Sequence, residues 1–82
     1  MEIYKTKGVC SSAIHFEVKD GVIESVSFVN GCPGNTMGIS MLIKGLSPEE
    51  AISRLKGIDC RGRGTSCPDQ LAKALEAYLN NA

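Results

Sequence analysis

An Asp-Gly pair between two runs of strand-like residues constrains the fold of this chain most strongly. Residues 13–19 alternate apolar with polar side chains, which is typical of a β-strand that has one covered face. Asp20-Gly21 follows, and this pair favours a two-residue type I′ turn between antiparallel strands. Residues 22–30 are again rich in β-branched and apolar residues, so the sequence predicts a β-hairpin over residues 13–30.

One apolar residue of the second run is out of phase with the others. Val26 and Phe28 share a face, whereas Ile23 would fall on the opposite face of a regular strand. A β-bulge near Glu24 or Ser25 would return Ile23 to the shared face, and we expect one there.

Helical patterns fill the rest of the chain, and a short first strand at residues 3–6 precedes the hairpin. One helix is predicted over residues 35–44. The segment SPEEA, which begins at Ser47, has the capping-box pattern of a second helix start. A third helix is predicted over residues 68–80. Strands followed by helices predict an α+β fold, in which a three-stranded antiparallel meander is followed by three helices packed on one face of the sheet.

Apolar residues at regular spacing predict which faces are buried. In the hairpin these are Ile14, Phe16 and Val18. The helical set includes two methionines that would fill gaps in the core. Its members are Met37, Ile39, Met41, Leu42, Ile43, Ala51, Ile52, Leu55, Leu71, Ala74, Leu75, Tyr78 and Leu79.

Size and charge restrict the classes of function. The 82 residues suffice for a single small domain, residues 1–82, and not for separate catalytic and regulatory domains. Nine basic and nine acidic residues give a net charge of zero, which argues against binding nucleic acid or a membrane through bulk charge. No apolar run is long enough to span a membrane, and the first residues lack the apolar core of a signal peptide, so we expect a cytoplasmic protein.

Four cysteines lie where predicted elements begin or end, namely Cys10, Cys32, Cys60 and Cys67. Cytoplasmic thiols stay reduced, so these cysteines predict a metal site or redox chemistry; in an exported protein they would pair as disulfides. No CxxC pair is present, which excludes the simple zinc-finger and thioredoxin spacings. The alternative is that each cysteine is a small buried hydrophobic residue with an inert thiol.

Two of the cysteines directly precede a proline at a predicted helix start, as Cys32-Pro33 and Cys67-Pro68. Proline suits the first helical position, and the free N–H groups and dipole of a helix start favour a negative charge. A cysteine at such a position is favoured as a thiolate. Thiolates are ligands of zinc and of iron–sulfur clusters, so the four cysteines predict one of these two cofactors.

Other residues have simpler interpretations. His15, the single histidine, lies on the polar side of its strand without a visible acidic partner, so we expect it to be solvated. Asp69 in the first turn of the last helix would support the helix dipole. A weak phosphate or anion site is predicted at Gly34, near a helix start, together with Arg61 and Arg63 in the loop CRGRG.

The segment TSCPD, residues 65–69, is the hallmark of the TSCPD-domain family. The resemblance extends over GVCSSAIHFEV, NGCPGNTMGIS and GLSPEEAISRLKGIDCRGRGTSCPDQLAKAL, which is nearly the whole chain. The chain is identified as a small stand-alone bacterial member. Related domains are associated with ribonucleotide reductases, notably cobalamin-dependent ones. The resemblance therefore implies an accessory, redox or nucleotide-binding partner of a reductase, and a chain this short is expected not to be an enzyme by itself.

The order of features is also similar to the IscU/NifU iron–sulfur scaffold proteins. Those have a cysteine after the first strand, a second in a Gly-Cys turn before a helix, and a third at the start of a late helix. The counterparts here are Cys10, Gly31-Cys32 and Cys67, with GLSPEEA matching the scaffold's GxSxxEA helix. This resemblance implies a similar fold and a redox or iron–sulfur protein as partner.

Two positions differ from the scaffold pattern. Where the scaffold has an aspartate two residues after its first cysteine, this chain has Ser12. Where the scaffold has a histidine before its third cysteine, this chain has Ser66. Cys60 is the candidate that would replace them as the fourth ligand.

Overall fold

Three antiparallel strands in the order β1-β2-β3 form one sheet in the computed structural model of this chain, which describes residues 2–9, 11–31, 33–59, 62 and 64–81. The strands are β1 (Glu2–Lys5), β2 (Ser11–Lys19) and β3 (Val22–Asn30). The predicted meander is confirmed, with β2 beginning two residues earlier than its alternating pattern indicated.

The hairpin between β2 and β3 has the predicted turn. Asp20 and Gly21 have φ values of 54° and 80°, and a type I′ turn requires positive φ at both central residues. Asp20 tolerates this left-handed conformation better than most side chains, and Gly21 has no Cβ to oppose it. The local sequence therefore determines the register of the hairpin at its closed end.

The predicted bulge lies at Glu24. Glu17 of β2 is opposite Ser25, and the next residue, Val18, is opposite Ile23, so Glu24 is the extra residue of β3. The bulge returns Ile23 to the covered face, where the side chain is completely buried.

Three helices follow the sheet, namely α1 (Pro33–Ile43), α2 (Pro48–Leu55) and α3 (Cys67–Asn81). The start of α2 is capped as its sequence indicated, because the Glu50 N–H donates to Ser47 Oγ at 3.2 Å. The Glu50 carboxylate accepts hydrogen bonds from Ser53 and Arg54. No helix in the described part of the chain is long and apolar enough to cross a membrane.

The core joins one face of the sheet to all three helices. Its buried members are Ile14, Phe16, Ile23, Ile43, Ala51, Leu71, Ala74 and Leu75. The Phe16 and Tyr78 rings meet edge to face with centroids 6.0 Å apart, which packs α3 directly against β2. These contacts confirm the covered face of the hairpin and the predicted apolar stripe of α3 except at Leu79, which is half-buried and outside the core cluster.

The predicted burial of α1 is wrong for three residues. Met37, Met41 and Leu42 are 64%, 65% and 80% exposed, whereas Ile43 is buried. Successive helical residues are about 100° apart, so Met37 and Met41 lie nearly opposite to Ile39 and Ile43. Helix α1 contacts the sheet through the edge strand β3, and one narrow side of the helix suffices for that contact.

Candidate functional site

The hallmark segment TSCPD forms the start of helix α3, and its serine is the N-cap residue. The Asp69 N–H donates to Ser66 Oγ at 3.1 Å, and the Gln70 N–H donates to the Ser66 carbonyl oxygen at 2.8 Å. Cys67 is therefore the first helical residue and Pro68 the second, so the predicted helix start was one residue late. A serine three residues before an aspartate is a known start signal that could have placed this boundary.

Asp69 connects the end of α2 to the start of α3. Asp69 is 3% exposed, and its carboxylate accepts hydrogen bonds from the Gly57 N–H at 2.7 Å and from Thr65 Oγ1 at 2.6 Å. Lys73 lies one turn along the helix, with its Nζ 3.3 Å from Asp69 Oδ2. Burial favours the neutral carboxyl, but the hydrogen bonds from Thr65, Gly57 and Lys73 outweigh it and hold the pKa of Asp69 below its ordinary value. Asp69 thus does more than support the helix dipole, because it also joins two elements.

Gln70 extends this connection to the loop between β1 and β2. Its side-chain Nε2 donates to Thr65 Oγ1 at 2.9 Å, and its Oε1 accepts from the Lys7 N–H at 3.2 Å. Thr65 and Gln70 are 8% and 4% exposed, so the bond between them lies in the protein interior, whereas the bond to the exposed Lys7 is partly buried. We call the chain of bonds from Lys7 through Gln70, Thr65 and Asp69 to Gly57 the buried relay.

Cys67 lies beside the first residue of β2. Its Sγ is 3.4 Å from Ser11 Oγ, and Ser11 is 3% exposed. Gly31 approaches the same serine from the end of β3, since a Cβ added to Gly31 would lie 3.3 Å from Ser11 Cβ. Gly31 also has a φ of 95°, which few other residues adopt. The backbone at Gly31 therefore approaches Ser11 closely.

Ser12 and Ser66, the two serines that were compared above with the scaffold pattern, both have structural roles here. Ser12 is the extra residue of a second bulge, because Ser11 pairs with Asn30 and Ala13 with Val29. Its hydroxyl accepts from Asn30 Nδ2 at 3.0 Å and donates to the Val29 carbonyl oxygen at 3.3 Å. Ser66 is the helix cap described above. Both hydroxyls therefore hold the backbone around the site.

Most of the predicted site lies outside the described residues, namely Cys10, Cys32, Cys60, Arg61 and Arg63. In the part of the chain that the structure describes, no three histidine, cysteine or acidic side chains form a group suited to a metal ion. The metal and anion sites that these residues would form stay predictions.

Two other predicted residues are described. Gly34 is exposed in the first turn of α1, and a Cβ there would meet no other described segment within 4 Å. His15 is half-buried on β2, opposite Ile3 and Ser27 and away from the core.

The loop between α2 and α3 has an internal anchor that our sequence reasoning missed. The Asp59 carboxylate accepts hydrogen bonds from the backbone N–H groups of Gly62, at 2.6 Å, and of Gly64. An aspartate followed by glycines is a turn signal that could have indicated this arrangement. The roles of Ser11 and Gln70 had no local signal, because their partners are distant in the sequence.

Comparisons with known proteins place the chain in a family. No curated protein and no solved structure matches it significantly, and its similarity to the IscU/NifU scaffolds stays a prediction. The family model described as TSCPD domain matches residues 2–79, which include every strand and nearly all of the last helix. The chain therefore belongs to the TSCPD-domain family.

Proposed function

We infer that this protein is a small binding module that holds one zinc ion or an iron–sulfur cluster through Cys67 together with Cys10, Cys32 and Cys60. The main support for this proposal is that three segments, the start of β2, the end of β3 and the start of α3, meet at Ser11. This residue contacts Cys67 Sγ at 3.4 Å and packs closely against Gly31.

Ser11 and Gly31 are each adjacent in the sequence to a cysteine. Ser11 directly follows Cys10, and Gly31 directly precedes Cys32. Consecutive Cα atoms lie only about 3.8 Å apart, so a convergence of the flanking residues on Cys67 supports a convergence of the three thiols. Three or four thiolates in reach of one another are the usual donor set of zinc and of iron–sulfur clusters.

The surroundings of Cys67 suit a thiolate ligand. Cys67 is half-buried and is the first residue of α3, where free N–H groups and the helix dipole favour negative charge. The Ser11 hydroxyl is in reach of the sulfur and would donate a hydrogen bond to a thiolate. Hydrogen bonds of this kind orient metal ligands and tune the metal.

The number of thiolate ligands would decide whether the metal site is structural or open to a further ligand. Four thiolates would close a tetrahedral site with a structural role, whereas three would leave a position open for a partner's ligand or for cluster transfer. The resemblance in sequence to the scaffold proteins would favour the second case. The family resemblance suggests a ribonucleotide reductase, or another redox or iron–sulfur protein, as the partner.

The test is the metal content of protein purified without oxygen or chelator, measured by elemental mass spectrometry together with an absorption spectrum. We expect about one zinc ion, or one iron–sulfur chromophore, per chain, and loss of the metal in Cys67→Ser. Met37→Leu is the matched control, because it removes a sulfur atom from a side chain that is 64% exposed on α1.

Two results would contradict the proposal. One is a folded wild-type protein without metal, and the other is unchanged metal content in Cys67→Ser. A metal-free protein that forms a reversible disulfide would instead favour thiol exchange with a redox partner.

A further inference from the structure

The Thr65 hydroxyl determines which groups of the buried relay donate hydrogen bonds and which accept them. A hydroxyl has one proton to donate, and that of Thr65 goes to Asp69 Oδ2 at 2.6 Å. Its lone pairs then accept from Gln70 Nε2 at 2.9 Å. This orientation of the Gln70 amide leaves Oε1 to accept from the Lys7 N–H. Only one assignment of donors and acceptors therefore satisfies all hydrogen bonds of the relay.

The relay joins the first turn of α3 to two connections that lead to cysteines. Lys7 belongs to the connection from β1 to β2, which leads to Cys10. Gly57 begins the connection from α2 to α3, which leads to Cys60. The methyl group of Thr65 faces Gly8 of the same β1–β2 connection, because a Cβ added to Gly8 would lie 3.5 Å from Thr65 Cγ2.

We propose that Thr65 is a positioning residue, whose hydroxyl holds the β1–β2 and α2–α3 connections against the start of α3 and thereby sets the metal affinity of the site. The inference rests on the proposed metal-binding function. Thr65 does not touch Cys67 in any described hydrogen bond, so it acts through the placement of backbone segments. Asp69 and Gln70 are the two side chains through which it does so.

A pair of substitutions at Thr65 isolates the hydroxyl. Thr65→Val has nearly the same shape but removes both relay bonds, while Thr65→Ser retains the hydroxyl and removes only the methyl group. Gln70→Met removes the bonds of Gln70 to Thr65 and to Lys7 but retains the bond between Thr65 and Asp69, and it decides the question if Thr65→Val fails to fold. Glu76→Gln is the control on the same helix, because it changes only the exposed pair with Lys56.

The first readout is metal affinity, measured by cobalt titration and by zinc competition with a chelator at a temperature where circular dichroism shows each variant folded. Loss of outer contacts around a metal site typically weakens affinity about 10–100-fold, and we expect Thr65→Val and Gln70→Met to fall in that range. Thr65→Ser and Glu76→Gln should stay close to the wild type. A lower melting temperature with unchanged affinity would overturn the proposal, since Thr65 would then stabilise only the fold.

The second readout needs no metal. In metal-free protein, the labelling rate of Cys67 by a thiol reagent is followed by peptide mass spectrometry. If the relay holds the connections in place, labelling is faster in Thr65→Val and Gln70→Met than in Thr65→Ser. Equal rates in all variants would overturn the positioning role. A wild type that binds neither cobalt nor zinc and holds no iron–sulfur cluster would refute the proposed function, while the labelling rates would still decide whether Thr65 positions the two connections.

Discussion

Replacing Asp69 by asparagine tests the structural reading of the hallmark segment most directly. Asp69 is 3% exposed. Its carboxylate accepts hydrogen bonds from the Gly57 N–H, from Thr65 Oγ1 and from Lys73 Nζ. Asparagine has nearly the same shape but only one acceptor oxygen. Its NH2 group would therefore face either the Gly57 N–H or the Thr65 hydroxyl, and both of these are donors in the native arrangement.

The magnitude follows from these contacts. A hydrogen bond to a charged group contributes about 1.5–3 kcal/mol, and a buried donor left without a partner costs about 1–3 kcal/mol. The ion pair with Lys73 adds at most about 1 kcal/mol, because the lysine side chain is 46% exposed. These contributions overlap, so we expect Asp69→Asn to lower the free energy of unfolding by about 2–4 kcal/mol at neutral pH.

The same substitution has a characteristic pH dependence in the metal-free protein. Because the folded-state pKa of Asp69 lies below its ordinary value, the ionised carboxylate stabilises the fold. That stabilisation is complete above the unfolded pKa of about 3.9 and is lost as the pH falls through the lower folded pKa. Asparagine does not titrate, so the stability difference between the wild type and Asp69→Asn should shrink below about pH 4.

The assay is urea denaturation of metal-free wild type and Asp69→Asn between pH 7 and the acid limit of folding, with Glu76→Gln as the control. Glu76→Gln also removes one carboxylate from α3, but its partner Lys56 is largely exposed. The reasoning is refuted if Asp69→Asn is as stable as the control, or if its deficit persists unchanged when Asp69 is protonated.

Three further predictions concern stability and use urea or thermal unfolding. Leu71→Ala should lower the free energy of unfolding by about 2–5 kcal/mol, whereas Leu42→Ala, at a side chain 80% exposed, should change it by less than about 0.5 kcal/mol. Equal losses in the two variants would contradict the packing of α1. Ser66→Ala should cost about 1 kcal/mol by removing the N-cap of α3, and Ser66→Thr should retain most of it. Gly31→Ala should lower the free energy of unfolding by more than about 1 kcal/mol, because Gly31 has a positive φ and lies close to Ser11. Gly34 is helical, so Gly34→Ala should be neutral or stabilising, and the reverse order of the two variants would refute the assigned backbone geometry.

The elements of this fold were predictable because their signals are local. The turn at Asp20-Gly21 and the bulge at Glu24 follow from φ preferences and from the period of two along a strand. The start of α2 follows from Ser47, whose side chain caps a backbone group three residues away. Each of these features depends on residues that are neighbours in the sequence.

The burial of α1 was not predictable in the same way. Its apolar residues surround most of the helix, so periodicity cannot decide which side faces the sheet. The contact with the edge strand β3 selects Ile39 and Ile43 and leaves Met37 and Met41 exposed. Which apolar residues are buried is here a property of the packing.

Local sequence patterns predict the order of strands and helices, the hairpin register and the location of the four cysteines at the ends of predicted elements. Which of these ends meet depends instead on tertiary packing. Ser11 and Cys67 are 56 residues apart in the chain, and Lys7 and Gln70 are 63 apart. No local pattern encodes such contacts, because they arise when the covered face of the sheet and the apolar stripe of α3 bury each other and thereby bring the start of α3 to the start of β2.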